Sequence, residues 1–302
     1  MGAQDAQGGG YCHDGGMTPE ELTDLDSQQQ RWPGRTDEMR PIPDHGEDSH
    51  VGRDRLQGKR ALITGGDSGI GRATAITFAK EGADVVIAYL PQEADDAEDT
   101  RAEVAKTGRR CHLLPGDLRS QQANADLVRE ARDTLGGIDV LVANAAYQMA
   151  QGSFTDFPDG QLERTFATNV FSPFWLVQEL QPHLGRGSSI IITTSIQAYE
   201  PSQPLLDYAA TKAALNNLTV NLAGEVGPLG IRVNAVAPGP IWTPLIPSTL
   251  HPDKVDSFGT DTPLGRAGHP VEVAAAMVFL ASDEASYVSG TVLGVTGGRG
   301  VF

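Results

Sequence analysis

The chain has 302 residues, 39% of them hydrophobic, with a net charge of −16 at pH 7. That is enough material for a full globular core, and no apolar run approaches the roughly 18 residues that a membrane span needs. The acidity disfavours a nucleic-acid-binding protein, and two cysteines (Cys12 and Cys111), with no second pair of ligands near Cys12-His13, predict neither a disulfide framework nor a metal site.

Residues 1–57 differ in composition from the rest of the chain and carry twelve acids and five bases. They lack the apolar centre of a signal peptide, so the expected location is the cytoplasm. The run Thr18-Pro19-Glu20-Glu21 is typical of a helix start and predicts a short helix over 18–30, followed by an extended arm. The extension is either a disordered tail or an arm laid over the body or a neighbouring subunit, anchored by Trp32, Met39 and Ile42.

From residue 58 to residue 302 short apolar runs alternate with longer helical segments, without a break in composition. Seven runs read as strands: RALIT, DVVIAYL, RCHLLPG, IDVLVANA, SSIIITTS, IRVNAVAP and TVLGVTGG. Strands that alternate with helices indicate βαβ units and a parallel sheet covered on both faces. We therefore expect one α/β domain with a doubly wound, seven-stranded parallel sheet.

The segment TGGDSGIG, residues 64–71, lies between the first strand and the first helix of this domain. Gly65 permits a tight turn, Gly69 lets a pyrophosphate approach the backbone, and Gly71 lets helix and strand pack closely. The helix start offers free N–H groups and the positive end of its dipole to phosphates. The segment predicts a dinucleotide-binding turn, to which Asp67, Ser68 and Ile70 also belong.

The end of the second strand leaves the choice between NAD and NADP open. Tyr89 and Leu90 stand where an acid would hold the ribose of NAD, and no Arg or Lys is there for a 2′-phosphate. Because Asp67 would repel an additional phosphate, the sequence leans to NAD.

Tyr208 and Lys212 are four residues apart in a helical stretch and therefore lie on one face. A cation beside a phenol lowers the phenol's pKa, as a general acid–base near neutrality requires. Ser195 ends a strand on the ligand-binding side of the sheet and can donate to a carbonyl oxygen, with Thr194 as its rival. The alternatives are a packed Tyr beside a solvated Lys, and a Ser that caps a turn.

Residues 59–298 resemble the short-chain dehydrogenase/reductase family, which has a Rossmann-like fold. The resemblance rests on TGGDSGIG, GDL at 116–118, ANAA at 143–146, FATNVF around Asn169, TTSIQAY around Ser195, YAATK at 208–212 and PGPIWT at 238–243. The extension ending in PDHGE and the GGDSGIG variant resemble the glucose- and ribitol-dehydrogenase-like, or general stress protein, subgroup. The family's usual Asn-Asn-Ala-Gly reads Ala143-Asn144-Ala145-Ala146 here, which retains the central Asn144.

The resemblance implies a role for each matching residue. Ser195, Tyr208 and Lys212 would be catalytic, Lys212 would also grip the cofactor ribose, and Asn169 would hold a water that relays protons to Lys212; a plain buried amide is the alternative for Asn169. The implied cofactor contacts are Asp117 and Leu118 at the adenine, Asn144 and Ala145 after the fourth strand, Pro238 and Gly239 in the loop after the sixth, and Ile241 and Thr243 at the nicotinamide carboxamide. A homotetramer is also implied.

The implied activity is hydride transfer between a nicotinamide cofactor and an alcohol or carbonyl substrate, such as a sugar, a polyol or a small aldehyde or ketone. The long loop 244–268 would close over this substrate, with Trp242 and Gln148 near the pocket. Two other hypotheses stay open: a cofactor-binding stress or regulatory protein with little turnover, and an epimerase on the same scaffold.

Overall fold

The computed structural model describes residues 22, 23 and 25–302. Within them, seven parallel strands form one sheet in the spatial order β3-β2-β1-β4-β5-β6-β7, which confirms the predicted architecture. The strands are β1 Arg60–Thr64, β2 Asp84–Tyr89, β3 Cys111–Pro115, β4 Val140–Ala143, β5 Ser189–Thr193, β6 Arg232–Pro238 and β7 Val292–Val295.

Helices cover both faces of the sheet. The α-helices are α1 Gly69–Lys80, α2 Ala94–Ala105, α3 Gln121–Leu135, α4 Gln161–Phe166, α5 Ser172–Leu180, α6 Leu206–Val226, α7 Leu245–Thr249 and α8 Pro270–Ala281. A π-helical turn, Ala167–Phe171, joins α4 to α5. Short 3₁₀ helices lie at Pro91–Glu93, Gln181–His183, Ile196–Ala198, Gln203–Leu205, Gly227–Leu229, Pro252–Lys254 and Asp283–Ala285.

The core consists of two apolar layers, one on each face of the sheet. In β1, Ala61 and Ile63 point into the layer that includes Phe78 of α1 and Met277 of α8. Leu62 points the opposite way, into the layer formed with α3, α5 and α6. This alternation explains why the strands read as continuous apolar runs, since both of their faces are buried.

The strand order reverses between β1 and β4, because the chain winds from β1 outward to β3 and then crosses back to β4. The connections that leave these two strands diverge to opposite sides, which opens a crevice at the carboxyl ends of the strands. Parallel α/β sheets bind their ligands at such a switch point.

The helix predicted over 18–30 is wrong for residues 25–30, which are not helical; residues 18–21 and 24 lie outside the described part of the chain. Tertiary contacts replace helical bonds: Leu22 pairs with Ala267 in an antiparallel bridge, and the Gln30 N–H donates to the Pro247 carbonyl over 2.9 Å. The described extension is thus an arm on the body. Met39 is its buried anchor, as expected, whereas Ile42 is 60% exposed and is not one.

The arm joins the body at Glu81, a buried carboxylate at the end of α1. Glu81 accepts hydrogen bonds from the Arg53 and Arg55 N–H groups, from the Arg55 guanidinium over 2.6 Å and from the His50 ring over 2.8 Å. Burial alone would raise the pKa of this carboxyl, but these donors outweigh it and lower the pKa to about 2.

We therefore expect Glu81→Gln to reduce the free energy of unfolding by about 2 kcal/mol at pH 7, because it leaves buried donors poorly matched. The pKa of Glu81 lies below its ordinary value of 4.5, so its contribution is complete above that pH and is lost as the pH falls toward 2. Urea titrations at pH 7 and pH 3 measure both effects. Glu98→Gln, at an exposed surface pair, is the control; equal stability of both variants at pH 7 would contradict the prediction.

Candidate active site

A cleft of about 1090 Å³ opens at the carboxyl ends of β1, β4, β5 and β6. Its walls include the turn before α1, the end of β4, the loop after β6 and the segment 244–261. Of the residues predicted to form the site, those that line this cleft are Gly65, Asp67, Ser68, Gly69, Ile70, Tyr89, Leu90, Asp117, Leu118, Asn144, Ala145, Ser195, Tyr208, Lys212, Pro238, Gly239, Ile241 and Thr243.

The glycine turn has the geometry that a bound phosphate requires. Gly65 has a φ of +62°, which an L side chain rarely adopts. Gly71 does not line the cleft but lies beneath it, where a Cβ would be 1.8 Å from the Gly65 carbonyl oxygen. The side chain of Ser68 makes no capping bond to α1, so the N-terminus of this helix keeps free N–H groups facing the cleft.

A hydrogen-bond network fixes the ends of β1, β4 and β5 relative to one another. Thr64 Oγ1 accepts from the N–H groups of Asn144 and Ala145, both over 3.0 Å. The Asn144 amide donates to the carbonyls of Thr64 and Gly65 and accepts from Thr193 Oγ1. Asn144 therefore ties three strand ends together, which explains why the rest of its tetrapeptide can vary.

Tyr208 and Lys212 lie one turn apart on α6, buried at the cleft wall, with Lys212 Nζ 5.2 Å from the centre of the Tyr208 ring. Lys212 Nζ donates to the Thr193 carbonyl over 2.8 Å, which directs the ammonium to the end of β5. Ser195 lies close enough to the Tyr208 hydroxyl to influence its pKa, and it caps the turn 196–198 by accepting from the Gln197 N–H. The hydroxyl of its rival, Thr194, is instead bonded to the Lys212 carbonyl.

The pKa of Tyr208 departs from its ordinary value in the direction opposite to our expectation. Burial raises it to about 12, while the Ser195 hydroxyl opposes the rise. Burial also lowers the pKa of Lys212 to about 7, so at neutral pH the ammonium is only partly populated and does not offset the desolvation of the phenol. Without bound ligands Tyr208 is therefore protonated at neutral pH, in the form that donates a proton.

Asn169 is buried in the π-helical turn and does not line the cleft. Its Oδ1 accepts from the Tyr147 N–H over 2.7 Å, and its Nδ2 donates to the Tyr147 carbonyl and to Thr211 Oγ1. Its amide therefore positions the segment after β4 against α6. Asn169 stays a predicted catalytic residue, since these bonds neither require nor prevent a water at its backbone.

Carboxyl groups surround the end of β2. Asp67 is buried in the glycine turn, and burial is the main reason that its pKa rises to about 6. The pKa of Glu93 rises to about 8, first through burial and then through the charge of Asp67, against the bond that Glu93 accepts from the Leu90 N–H. Sequence reasoning missed Glu93, which lies in a separate 3₁₀ turn after the strand.

Gln148 and Trp242 were both predicted to lie near the pocket, and only Gln148 lines the cleft. Gln148 lines the cleft and donates to Thr249 Oγ1, as expected for a residue near the pocket. Trp242 does not: it is fully buried between the arm and the loop, with Nε1 bonded to the Pro41 carbonyl. Asp207, which no motif marked, accepts from Thr165 Oγ1 and the Tyr208 N–H and so holds the start of α6.

Over the described residues, no group of three or more His, Cys, Asp or Glu side chains could hold a metal ion. In the same part of the chain, no helix has the length and apolar character needed to cross a membrane.

A doubly wound sheet with a glycine turn and a Tyr–Lys pair beside a buried Ser defines a nicotinamide-dependent oxidoreductase. The family model described as enoyl-(acyl carrier protein) reductase matches residues 65–299. The chain belongs to the short-chain dehydrogenase/reductase family and is an NAD(P)-dependent oxidoreductase.

The chain is 52% identical to the uncharacterized oxidoreductase YghA of Escherichia coli over 273 residues, 90% of this chain and 93% of that protein. It is 46% identical to the glucose and ribitol dehydrogenase homolog of Oryza sativa, over 89% and 95% of the two chains. A short-chain dehydrogenase from Burkholderia cenocepacia, solved in complex with NADP, matches with a TM-score of 0.76 and 36% identity over 81% of this chain and 98% of its own. The NADP in that structure gives no support to the lean to NAD.

The tight packing of the glycine turn predicts that two glycine-to-alanine substitutions differ strongly in their effects on melting temperature and cofactor binding. Gly71→Ala should lower the melting temperature and abolish detectable cofactor binding, because the new methyl would overlap the Gly65 carbonyl. Gly185→Ala is the matched control, because a Cβ at this position outside the cleft lining meets nothing within 4 Å. Thermal unfolding with and without NADPH measures both; equal behaviour of the two variants would refute the tight packing of the turn.

Proposed function

We propose that Tyr208, Lys212 and Ser195 catalyse hydride transfer between a nicotinamide cofactor and an alcohol or carbonyl carbon. The observation that carries the proposal is the burial of these three polar groups together at the wall of the dinucleotide cleft. Burying polar and ionisable groups costs free energy, and a cluster of such groups at a cleft wall is typical of a functional site. When bound, the cofactor supplies or accepts the hydride; the protein supplies position and proton transfer.

Each side chain has a separate task in this proposal. The Tyr208 phenol donates a proton to the carbonyl oxygen during reduction and accepts it during oxidation. The Ser195 hydroxyl, which lies near the phenol, donates to the same oxygen as negative charge develops there. Lys212 stabilises the phenolate that remains, because its ammonium is held beside the ring by the Thr193 carbonyl.

The glycine turn and the free N-terminus of α1 fit the pyrophosphate of the cofactor. Asp117 and Leu118 would flank the adenine, and Ile241 and Thr243 the nicotinamide; their position on the cleft wall supports these roles. NAD and NADP are both candidates. Asp67 disfavours a second phosphate by its charge, and Glu93 does so above its pKa of about 8, whereas the related Burkholderia enzyme holds NADP.

For the substrate we propose a sugar, a polyol or a small aldehyde or ketone. The name of the rice relative, a glucose and ribitol dehydrogenase homolog, agrees with a polyhydroxylated substrate. The polar side chains of Gln148, Gln197 and Lys254 on the cleft wall could bind such hydroxyl groups. No observation favours the epimerase or the stress-related binding protein over the oxidoreductase.

We further propose that the protein acts in the cytoplasm as a homotetramer. Exposed apolar side chains on α4 to α6 support an interface on that side, among them Leu162, Phe174 and Val220. The exposed Phe302, at the end of the chain, supports a second interface.

Tyr208→Phe should reduce kcat by about 10²- to 10⁴-fold, because it removes the proton donor and leaves the ring in place. The dissociation constant of the cofactor should stay near that of the unchanged protein. Steady-state rates with a panel of aldehydes and sugars, together with fluorescence titration of NADPH, measure the two quantities. Tyr199→Phe removes a hydroxyl that does not line the cleft and is the matched control. Turnover retained in Tyr208→Phe would refute the assignment.

The preference between the two cofactors should change with pH. The pKa of Glu93 is about 8, so its carboxyl gains a negative charge as the pH rises through that value. A 2′-phosphate at the end of β2 would then bind less well, and the ratio of the dissociation constant of NADPH to that of NADH should increase from pH 6.5 to pH 9.

Glu93→Gln should flatten this dependence, whereas Glu103→Gln, whose carboxylate pairs with Lys106 on the outer side of α2, should leave it unchanged. Fluorescence titrations of both cofactors across the pH range give the ratio. A ratio that is independent of pH in the unchanged protein would contradict the prediction.

A further inference from the structure

The N-terminal arm crosses the cleft. Trp32, Pro33 and Gly34 are part of the cleft wall, although they precede the domain that carries every motif of the family. At Gly34 the arm lies directly on the loop after β6, where a Cβ would be 2.4 Å from the Pro244 carbonyl oxygen. This loop in turn borders the glycine turn, since a Cβ on Gly69 would be 3.0 Å from Thr243.

The arm also contacts a guanidinium, that of Arg164, through the ring of Trp32. Arg164, in the last turn of α4, contacts the faces of two aromatic rings: its Cζ lies 4.3 Å from the centre of the Trp32 ring and 4.1 Å from that of the Tyr147 ring. The two rings meet edge to face at 5.6 Å. Cations are attracted to aromatic faces, and two rings nearly at right angles to each other restrict the orientation of the guanidinium.

Arg164 has no partner for its charge among residues 22, 23 and 25–302: no carboxylate oxygen lies within 4 Å of it, and its side chain makes no hydrogen bond there. A guanidinium carries five N–H donors, so those that point away from the two rings stay available to a ligand. A cation at a cleft wall that is in direct contact with no carboxylate of the described residues is available to an anion.

The neighbours of Arg164 indicate which anion this is. Arg164 is close enough to Asp117, the predicted adenine contact, that its charge helps to lower the pKa of that carboxyl, after the larger effect of Arg119. Trp32, its stacking partner, leads to the contact between Gly34 and Pro244 beside the glycine turn. Arg164 thus lies between the part of the cleft that we assign to the adenine and the glycine turn that we assign to the pyrophosphate.

The arm is not part of the common fold. The NADP-bound Burkholderia enzyme matches over 98% of its own length but over only 81% of this chain, the share that residues 58–302 represent, at 245 of 302 residues. The match to YghA covers 90% of this chain and therefore extends into the arm. Whatever the arm does, some relatives share it and the shorter enzymes lack it.

We propose that the arm completes the cofactor site: Arg164 binds a phosphate of the dinucleotide, and Trp32 is the residue that positions it, together with the nearly perpendicular ring of Tyr147. Trp32, Pro33 and Gly34 close the cleft over the ADP-ribose half of the cofactor. The glycine turn and the arm then hold the phosphates from opposite sides.

The test is binding of NADH, NADPH and ADP-ribose to the full chain without substrate, followed by calorimetry or fluorescence, so that its outcome does not depend on turnover or on the roles of Tyr208 and Ser195. Arg164→Gln should weaken binding of all three by about tenfold or more, through loss of a charge-assisted hydrogen bond. Trp32→Ala should weaken it by about fivefold through loss of the stacking, and Trp32→Phe should restore most of the affinity.

Ile42→Ala, at an exposed arm residue outside the cleft, is the matched control and should bind like the unchanged protein. If Trp32→Ala fails to fold, Arg164→Gln still decides the proposal. Affinities within about twofold of the unchanged protein in Arg164→Gln would overturn it, and so would an effect of Trp32→Ala that Arg164→Gln does not share.

Discussion

The chemistry that we propose for this protein depends on an ammonium that is buried away from water. Lys212 is buried at the cleft wall, and its Nζ is bonded to the Thr193 carbonyl at the end of β5. Burial lowers its pKa to about 7, and the same burial raises the pKa of the neighbouring phenol to about 12. Burial therefore disfavours the charged form of each group, and a charge on one of them would favour the opposite charge on the other. In the proposed reaction Tyr208 gives its proton to the substrate oxygen, and the phenolate that remains is stabilised where Lys212 already carries its own proton.

The fold makes this arrangement possible because parallel strands end at one edge. Thr64 ends β1, Asn144 follows β4 and Thr193 ends β5, and their hydrogen bonds join the three ends. On this common edge lie the glycine turn, which suits phosphates, and α6, which carries Tyr208 and Lys212. The arm adds a wall that neither the sheet nor its helices provide, and it reaches the cleft through contacts with the loop after β6.

Much of this could be predicted from the sequence because the signals are local. The apolar runs gave all seven strands, and TGGDSGIG and the Tyr208–Lys212 spacing located two walls of the cleft. What failed depends on tertiary structure. The capping box at 18–21 predicted a helix, yet residues 25–30 follow the surface of the body because Leu22, Leu25 and Met39 are buried there with Trp242 and Ile246. Propensity for a short helix is weak compared with such burial.

Other features of the site could not be predicted from the sequence, because they also depend on tertiary structure. The direction of the Tyr208 pKa depends on how completely the phenol is desolvated, and a spacing of four residues contains no measure of burial. The stacking of Arg164 joins residues 132 positions apart in the chain, and no motif marks either of them. Glu93 lies in a turn that the strand pattern does not specify.

The most direct test of the central claim is to follow the hydrogen that is transferred. The protein reduces an aldehyde or a sugar with a reduced cofactor in which both hydrogens at C4 of the nicotinamide are deuterium. Mass spectrometry and NMR then locate the deuterium in the product. We expect one deuterium bonded to the former carbonyl carbon. The hydroxyl proton should come from Tyr208 and, through it, from solvent. A product formed without deuterium at that carbon, or a cofactor that binds but transfers no label to any substrate in the panel, would contradict it.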